Sequence, residues 1–206
     1  MRESNKAERR RRIQRATLEV LAEKGFDNAT TREIAQRANV AVGTIFLYAR
    51  DKVDLFLMSI NDDLDQLTDA AFAELGDDQP LLDQIITFFR HRYAFWSRHP
   101  DLYRAATVGR ASSYPPPESE GGGEAEMARG IGRRVQALQR LTQILERGVT
   151  NGRIRPGENI PALARILLDI YLIEMRFWLS SDEPQIDDGM AKLRYLVDVI
   201  IALVRP

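Results

Sequence analysis

The chain contains no cysteine and only two histidines, His91 and His99. A disulfide framework and a thiolate metal site are therefore excluded, and two histidines eight residues apart do not form the i,i+4 pair of a helical metal site. Long uncharged apolar runs are also missing. The most apolar stretch, Leu167–Leu179, is interrupted by Asp169, Glu174 and Arg176, whereas a membrane span needs about 18 or more consecutive apolar residues. A charged run, Lys6–Arg12, stands where a secretory signal would carry an apolar core. No glycine-rich phosphate loop follows a strand pattern, and no nucleophile motif is present, which argues against an enzyme. These absences predict a cytoplasmic protein that needs neither metal nor cofactor.

What is present is helical pattern in a chain of 206 residues, 44% of them hydrophobic, enough for one sizeable core or two small coupled ones. No segment shows sustained period-2 alternation. Ile13, Ala16, Thr17, Val20 and Leu21 give a first helix its inward stripe, and Gly25 stands where a helix-terminating glycine is expected. Thr30-Thr31-Arg32-Glu33 reads as a capping box opening a short second helix to about Ala38. Asn39-Val40 makes a tight turn, and a third helix covers about 42–48. Longer helices are expected at 51–75, 80–97, 100–109, 124–150, 160–180 and 186–204, broken by Gly76, Pro100, Gly152, Pro156-Gly157 and Pro184. Ser112–Gly123, with three prolines and three glycines, reads as a loop.

The net charge of −1 hides an asymmetry. Residues 1–52 hold 12 Lys/Arg and 7 Asp/Glu, while the remainder holds 17 and 23. Such a basic segment meets a polyanion or is simply a solvated tail, and charge alone does not choose. Spacing adds a reason to choose. Residues 30–49 have a helix–turn–helix layout, in which one short helix braces a second whose N-terminal end enters the DNA major groove. Ala41, Val42, Gly43 and Thr44 are small enough for close approach to bases. Lys52, beside a helix N-terminus, is placed for a phosphate contact. The alternative for a short Ala/Val/Gly/Thr helix is a packed core turn.

Thr31-Arg32-Glu33-Ile34-Ala35 with Asn39-Val40, Gly43-Thr44 and Lys52-Val53-Asp54-Leu55 resembles the signature of TetR-family transcriptional regulators. So does the upstream Ile13, Ala16, Leu21, Lys24-Gly25-Phe26 and Thr30-Thr31 series. The resemblance covers about residues 7–60. It implies an all-α protein with a three-helix helix-turn-helix DNA-binding domain at 1–54 and a helical ligand-binding and dimerisation domain at 55–206. It implies phosphate contacts from Thr31 and Arg32, base-edge contacts from Val42, Gly43 and Thr44, and flanking contacts from Phe46, Leu47, Tyr48 and Lys52. Its implied partners are double-stranded operator DNA, a small-molecule effector and a second copy of the chain. Repression, relieved by the effector, is the mode it implies. Three positions depart from the family pattern: Ala41 stands where a capping Ser is usual, Phe46 replaces a Tyr, and Tyr48 stands in place of His.

In the body, Arg92 lies within the apolar face of the helix at 80–97, and Glu174 within that of the helix at 160–180. An unpaired buried charge costs several kcal/mol. The two charges either pair with each other, or Arg92 reaches solvent along its stem, or both line an effector cavity with Phe88, Trp96, Tyr103, Tyr171, Phe177 and Trp178. The last helix carries a seam of Met190, Leu193, Leu196, Val197, Ile200 and Val204, expected to face its own core or a partner subunit.

Overall fold

The computed structural model describes residues 2–76, 78–98, 100 and 123–206. Among these it contains helices and no strand, as expected. The helices are α1 (Arg2–Asn28), α2 (Thr31–Arg37), α3 (Val42–Ile45), α4 (Lys52–Ala73), α5 (Leu81–Trp96), α6 (Gly123–Thr150), α7 (Ile160–Leu179) and α8 (Ile186–Ala202). The expected helix after Pro100, His99, Tyr103 and the expected loop up to 122 lie outside the described residues. Two compact units share the chain: Met1–Asp63 with Asp101–Ile131, and Leu64–Pro100 with Gly132–Pro206. The division falls within α4 and α6.

In the first unit, the stripe expected on α1 is buried: Ile13, Ala16, Thr17, Val20 and Leu21 are all closed to solvent, with Ile34, Ile45, Leu55, Phe56 and Met58. Each such aliphatic side chain contributes roughly 1.5–3 kcal/mol on burial. α1 begins at once, because its charged N-terminal residues are good helix formers. It kinks at Gly25, whose φ of 73° and ψ of 168° lie in a region open essentially to glycine alone. One further turn to Asn28 follows the kink, so the glycine bends the chain where a full stop was expected. Thr30 forms the capping box: its Oγ1 accepts from the Glu33 amide at 3.2 Å, and its own amide donates to Glu33 Oε2 at 3.1 Å. Asn39 makes the turn into α3 at φ 52°, a left-handed conformation that Asn tolerates better than most residues. α3 is a single helical turn whose N-cap, Ala41, makes no side-chain cap.

The second unit is built on aromatic packing. Phe88, Phe89 and Tyr93 of α5 are fully buried. Phe89 stacks on Tyr171 of α7 at 4.5 Å between centroids and 6° between planes, and Tyr93 lies 4.7 Å from Trp178. The Trp178 indole N–H donates to the Gln185 carbonyl at 2.7 Å. Gly189 of α8 faces this cluster. A Cβ there would come within 2.7 Å of the Tyr93 ring and 2.9 Å of Trp178, so the ring packing requires a glycine. Leu193, Val197, Ile201 and Val204 continue the buried face of α8.

Candidate functional site

The helix–turn–helix is held by polar cross-ties between neighbouring helices. Arg37 at the end of α2 grips Glu23 of α1 with two parallel bonds of 2.7 Å, and lies 3.5 Å from Glu19. The guanidinium holds the Glu23 carboxyl below its ordinary range. Lys24 of α1 bonds Glu33, which is held low first by that ammonium and then by the Thr30 hydroxyl. Asp54 of α4 is fully buried and takes Arg50 Nε at 2.7 Å, while Asp51 Oδ1 accepts from the Asp54 amide at 2.8 Å. These ties fix α2 against α1, and the segment after α3 against the start of α4, without using the outward surface.

That surface carries the expected DNA residues. Arg32, Val42 and Gly43 are exposed, and Thr31, Thr44 and Tyr48 partly so. No atom lies within 4 Å of the position a Gly43 Cβ would take, so this edge of α3 is open for approach. Phe46 is 52% exposed and Leu47 77%, placements that a lone soluble head would not choose for its own stability. Leu47 and Tyr48 border an open groove completed by Asn5, Lys6 and Arg9 of α1, and the Tyr48 hydroxyl reaches the Lys6 carbonyl at 3.5 Å. Asn5 was not singled out from sequence, and Lys6 only as part of the charged run Lys6–Arg12. Their i,i+4 relation to Arg9 and Arg10 along one helix was the available signal. With Ile45 buried beneath, α3 supplies an anchored underside and a bare upper side.

Lys52, expected to meet phosphate, has carbonyl partners in the DNA-free chain. Its ammonium donates to the carbonyls of Phe26, Asp27 and Ala29, the latter two at 3.1 and 3.0 Å, and sits 4.5 Å over the Phe26 ring. An ammonium has three donors, and all three close the frayed C-terminal end of α1. Its position joins α1 to α4; in this conformation no donor remains for phosphate.

In the second unit, Glu174 and Arg92 do not pair with each other. Glu174 bonds Lys192 of α8 at 2.9 Å. Arg92 donates from Nη2 to the Thr68 hydroxyl of α4 and lies 5.7 Å from the Phe88 ring centroid. The residue as a whole keeps some exposure, but its Nη1 is buried and has no hydrogen-bond partner. Burial pushes the guanidinium below its ordinary value, and the nearby charge of Arg133 adds to this. Phe88, Tyr171 and Trp178 are buried, and Trp96 is half-buried, 5.1 Å edge-on to Phe95. Phe177 is 63% exposed, so it is not among the side chains gathered round Arg92. It shares an outward strip of α7 with Ile166 and Ile173, while Tyr195, Val199 and Leu203 form one on α8. Of the expected seam, Leu193, Val197 and Val204 are buried and Met190, Leu196 and Ile200 half-buried; the exposed strip is a different set.

A braced helix with an open, small-residue edge and a basic neighbouring helix defines a helix–turn–helix DNA-binding protein. Residues 13–58 match the family model for bacterial regulatory proteins, tetR family. The chain is 27% identical over 176 residues to the HTH-type transcriptional repressor KstR of Mycolicibacterium smegmatis, covering 84% of this chain and 78% of that one. It is 43% identical over 67 residues to the HTH-type transcriptional regulator BetI of Escherichia coli, covering 32% of this chain and 34% of that one. Its fold is similar to that of Thermus thermophilus FadR, a TetR-family transcriptional repressor solved in complex with lauroyl-CoA. The TM-score is 0.66 at 21% identity, over 91% of this chain and 92% of that one. Over residues 13–58 the chain is thus similar to TetR-family regulators, and the described helices beyond them share the fold of solved members. No helix among the described residues is long and apolar enough to cross a membrane.

Proposed function

We propose that this protein is a cytoplasmic, non-enzymatic repressor that binds a palindromic operator as a homodimer and is released by a small, largely apolar effector. The observation that carries the reading is the bare edge of α3, with Phe46 and Leu47 exposed beside a basic α1. Thr31 and Arg32 are proposed to position the head on phosphate, and Val42, Gly43 and Thr44 to meet base edges. Leu47, Tyr48 and Phe46 would border the backbone, with Lys6 and Arg9 beside them. The DNA-binding domain is proposed to span residues 1–54 and the effector and dimerisation domain 55–206.

The exposed strips of α7 and α8 support a dimer, because a second copy would cover Ile173, Phe177, Tyr195 and Leu203 by twofold symmetry. Two heads so joined suit two half-sites about one helical turn of DNA apart. The lauroyl-CoA complex of FadR supports an apolar effector, and the repressor KstR supports repression. The aromatic cluster around Phe88, Trp96, Tyr171 and Trp178 is the proposed effector region. Release requires that the effector bind one state of the dimer more tightly than the other.

A gel shift on the intergenic DNA beside the protein's own gene tests the proposal. Wild type is expected to shift that fragment and not an unrelated one, and Leu47→Ser to lose the shift while melting at the same temperature. Equal binding of both fragments by wild type would remove the sequence-specific regulator from consideration.

A further inference from the structure

Arg92 of α5, half-buried as a residue but with its Nη1 closed to solvent, has no counter-anion among the described residues. Its Nη2 is satisfied by a neutral hydroxyl, Thr68, and its Nη1 by nothing. The carboxylates on and beside the neighbouring helices are engaged elsewhere. Asp65 is held by Arg133 at 2.7 Å, Asp69 by Arg140 at 3.1 Å, Asp83 by Arg194 at 2.7 Å and Asp169 by Arg165 at 2.7 Å. Glu74 is taken by His91 at 3.0 Å, and Glu174 by Lys192 at 2.9 Å. A buried guanidinium left in this state is a standing cost to the fold. A hydrophobic side chain in the same place would have avoided it. Along α5, Phe88, Arg92, Phe95 and Trp96 fall at i, i+4, i+7 and i+8, so the charge sits in an aromatic stripe. An apolar molecule lying along this stripe brings its own end group to Arg92.

We infer that Arg92, with Thr68 holding its guanidinium in place, is an anion anchor, and that the effector is an amphiphilic acid whose single carboxylate completes the bond left open at Nη1. This rests on the effector-responsive reading above and narrows it. One open nitrogen suits a singly charged carboxylate; a phosphate dianion would call for several more donors. The apolar remainder of the acid, chain or ring, would pack against the aromatics. A thioester carbonyl is neutral and would leave the charge uncompensated, so the free acid and not its coenzyme A ester is the form the anchor selects.

The test uses the full-length protein and two acids of different shape, dodecanoate and 2-naphthoate, each against its neutral counterpart, dodecan-1-ol and 2-naphthalenemethanol, with lauroyl-CoA as a fifth probe. Titration calorimetry on wild type is expected to show one of the acids binding roughly ten- to a hundredfold more tightly than its alcohol, the range for a hydrogen bond to a charged group. Arg92→Met is expected to erase that preference, and Arg92→Lys to keep part of it. Without any probe, Arg92→Met is expected to melt at the same temperature as wild type or higher. A marked fall there would mean that the guanidinium is structural and would overturn the inference. So would an acid preference that survives Arg92→Met, or no preference in wild type for either acid. Lauroyl-CoA bound equally by wild type and Arg92→Met, with neither acid preferred, would place the effector away from Arg92. Operator binding by the unliganded wild type is measured alongside. If it holds while the acids fail, the regulator stands and only the anchor falls; if it fails while the acids bind through Arg92, the reverse is true.

Discussion

The head and the body of this protein are held together by different chemistry. The helix–turn–helix is a small structure fastened by charged and capping groups near its rim: Arg37 to Glu23, Lys24 to Glu33, Thr30 to Glu33, Lys52 to three carbonyls. The body is fastened by rings: Phe89 on Tyr171, Tyr93 on Trp178, with Gly189 cut away to admit them. The difference follows from what each leaves outside. A head that must present a bare α3 edge cannot spend that edge on packing, so its stability comes from the other sides. The body, proposed to enclose a ligand and meet a partner, adds a buried aromatic cluster to rim ion pairs such as Arg194–Asp83 and Arg140–Asp69.

The contrast can be broken most forcefully at the outward strips of α7 and α8. The double variant Ile173→Glu with Leu203→Glu is expected to give folded monomers whose operator affinity falls roughly a hundred- to ten-thousandfold, the loss expected when two linked heads become independent. Light scattering and a gel shift read the two effects. Val197→Glu, on the buried side of α8, is expected instead to give unfolded or insoluble protein, and a soluble Val197→Glu monomer would exchange the two faces. Next comes Gly189→Ala. With Tyr93 and Trp178 too close for a methyl group, it is expected to destabilise the body by about 1–3 kcal/mol, read by denaturant melts. An unchanged midpoint would mean that the rings have slack.

Lys52→Met sharpens the comparison from the other end. Loss of the three carbonyl bonds is expected to cost about 1.5 kcal/mol and to lower operator affinity without altering its salt dependence. If instead the salt slope falls by about one unit, as for a lost phosphate contact, Lys52 leaves its carbonyls when DNA arrives. Thr30→Ala is expected to cost about 1 kcal/mol by removing the α2 cap, again read by melts. The smallest effect is with pH. Glu23 and Glu33 both titrate below the usual 4.5 in the fold. Their contribution is therefore full above that value and lost as pH falls through the depressed values. Glu23→Gln is expected to flatten the stability profile below about pH 4.5, and an unchanged acid limb would show that the tie contributes nothing.

Much of the head was legible in sequence because its determinants are local. The capping box needs only Thr30 and Glu33, the turn only Asn39, the inward stripe only the spacing from Ile13 to Leu21. The exposed α3 edge follows from small residues at fixed positions. The carbonyl partners of Lys52 were not legible because a lysine at a helix start suits phosphate and carbonyl equally, and only the kink at Gly25 brings the end of α1 within its reach. In the body, a helical wheel showed that α8 is apolar but could not say which neighbour takes which side. Val197 and Tyr195 are separated by about 200° on a wheel of 3.6 residues per turn, yet both are apolar enough to qualify for the core. Arg92 and Glu174 stood out as charges on apolar faces; that they take different partners depends on Thr68 and Lys192, far from them in sequence.

The stack of Phe89 on Tyr171 also bears on the order in which the protein assembles. The ties of the helix–turn–helix join residues 9, 14 and 26 positions apart, whereas the body closes contacts such as Arg153 to the Gln79 carbonyl, 74 positions apart. Short loops close at small entropic cost and quickly; long ones delay folding. On a ribosome the head emerges complete while α7 is still unmade. A chain that ends after α6 is therefore expected to carry a native-like head on an unclosed body, with the aromatic face of α5 lacking Tyr171 and Trp178 and open to chaperones.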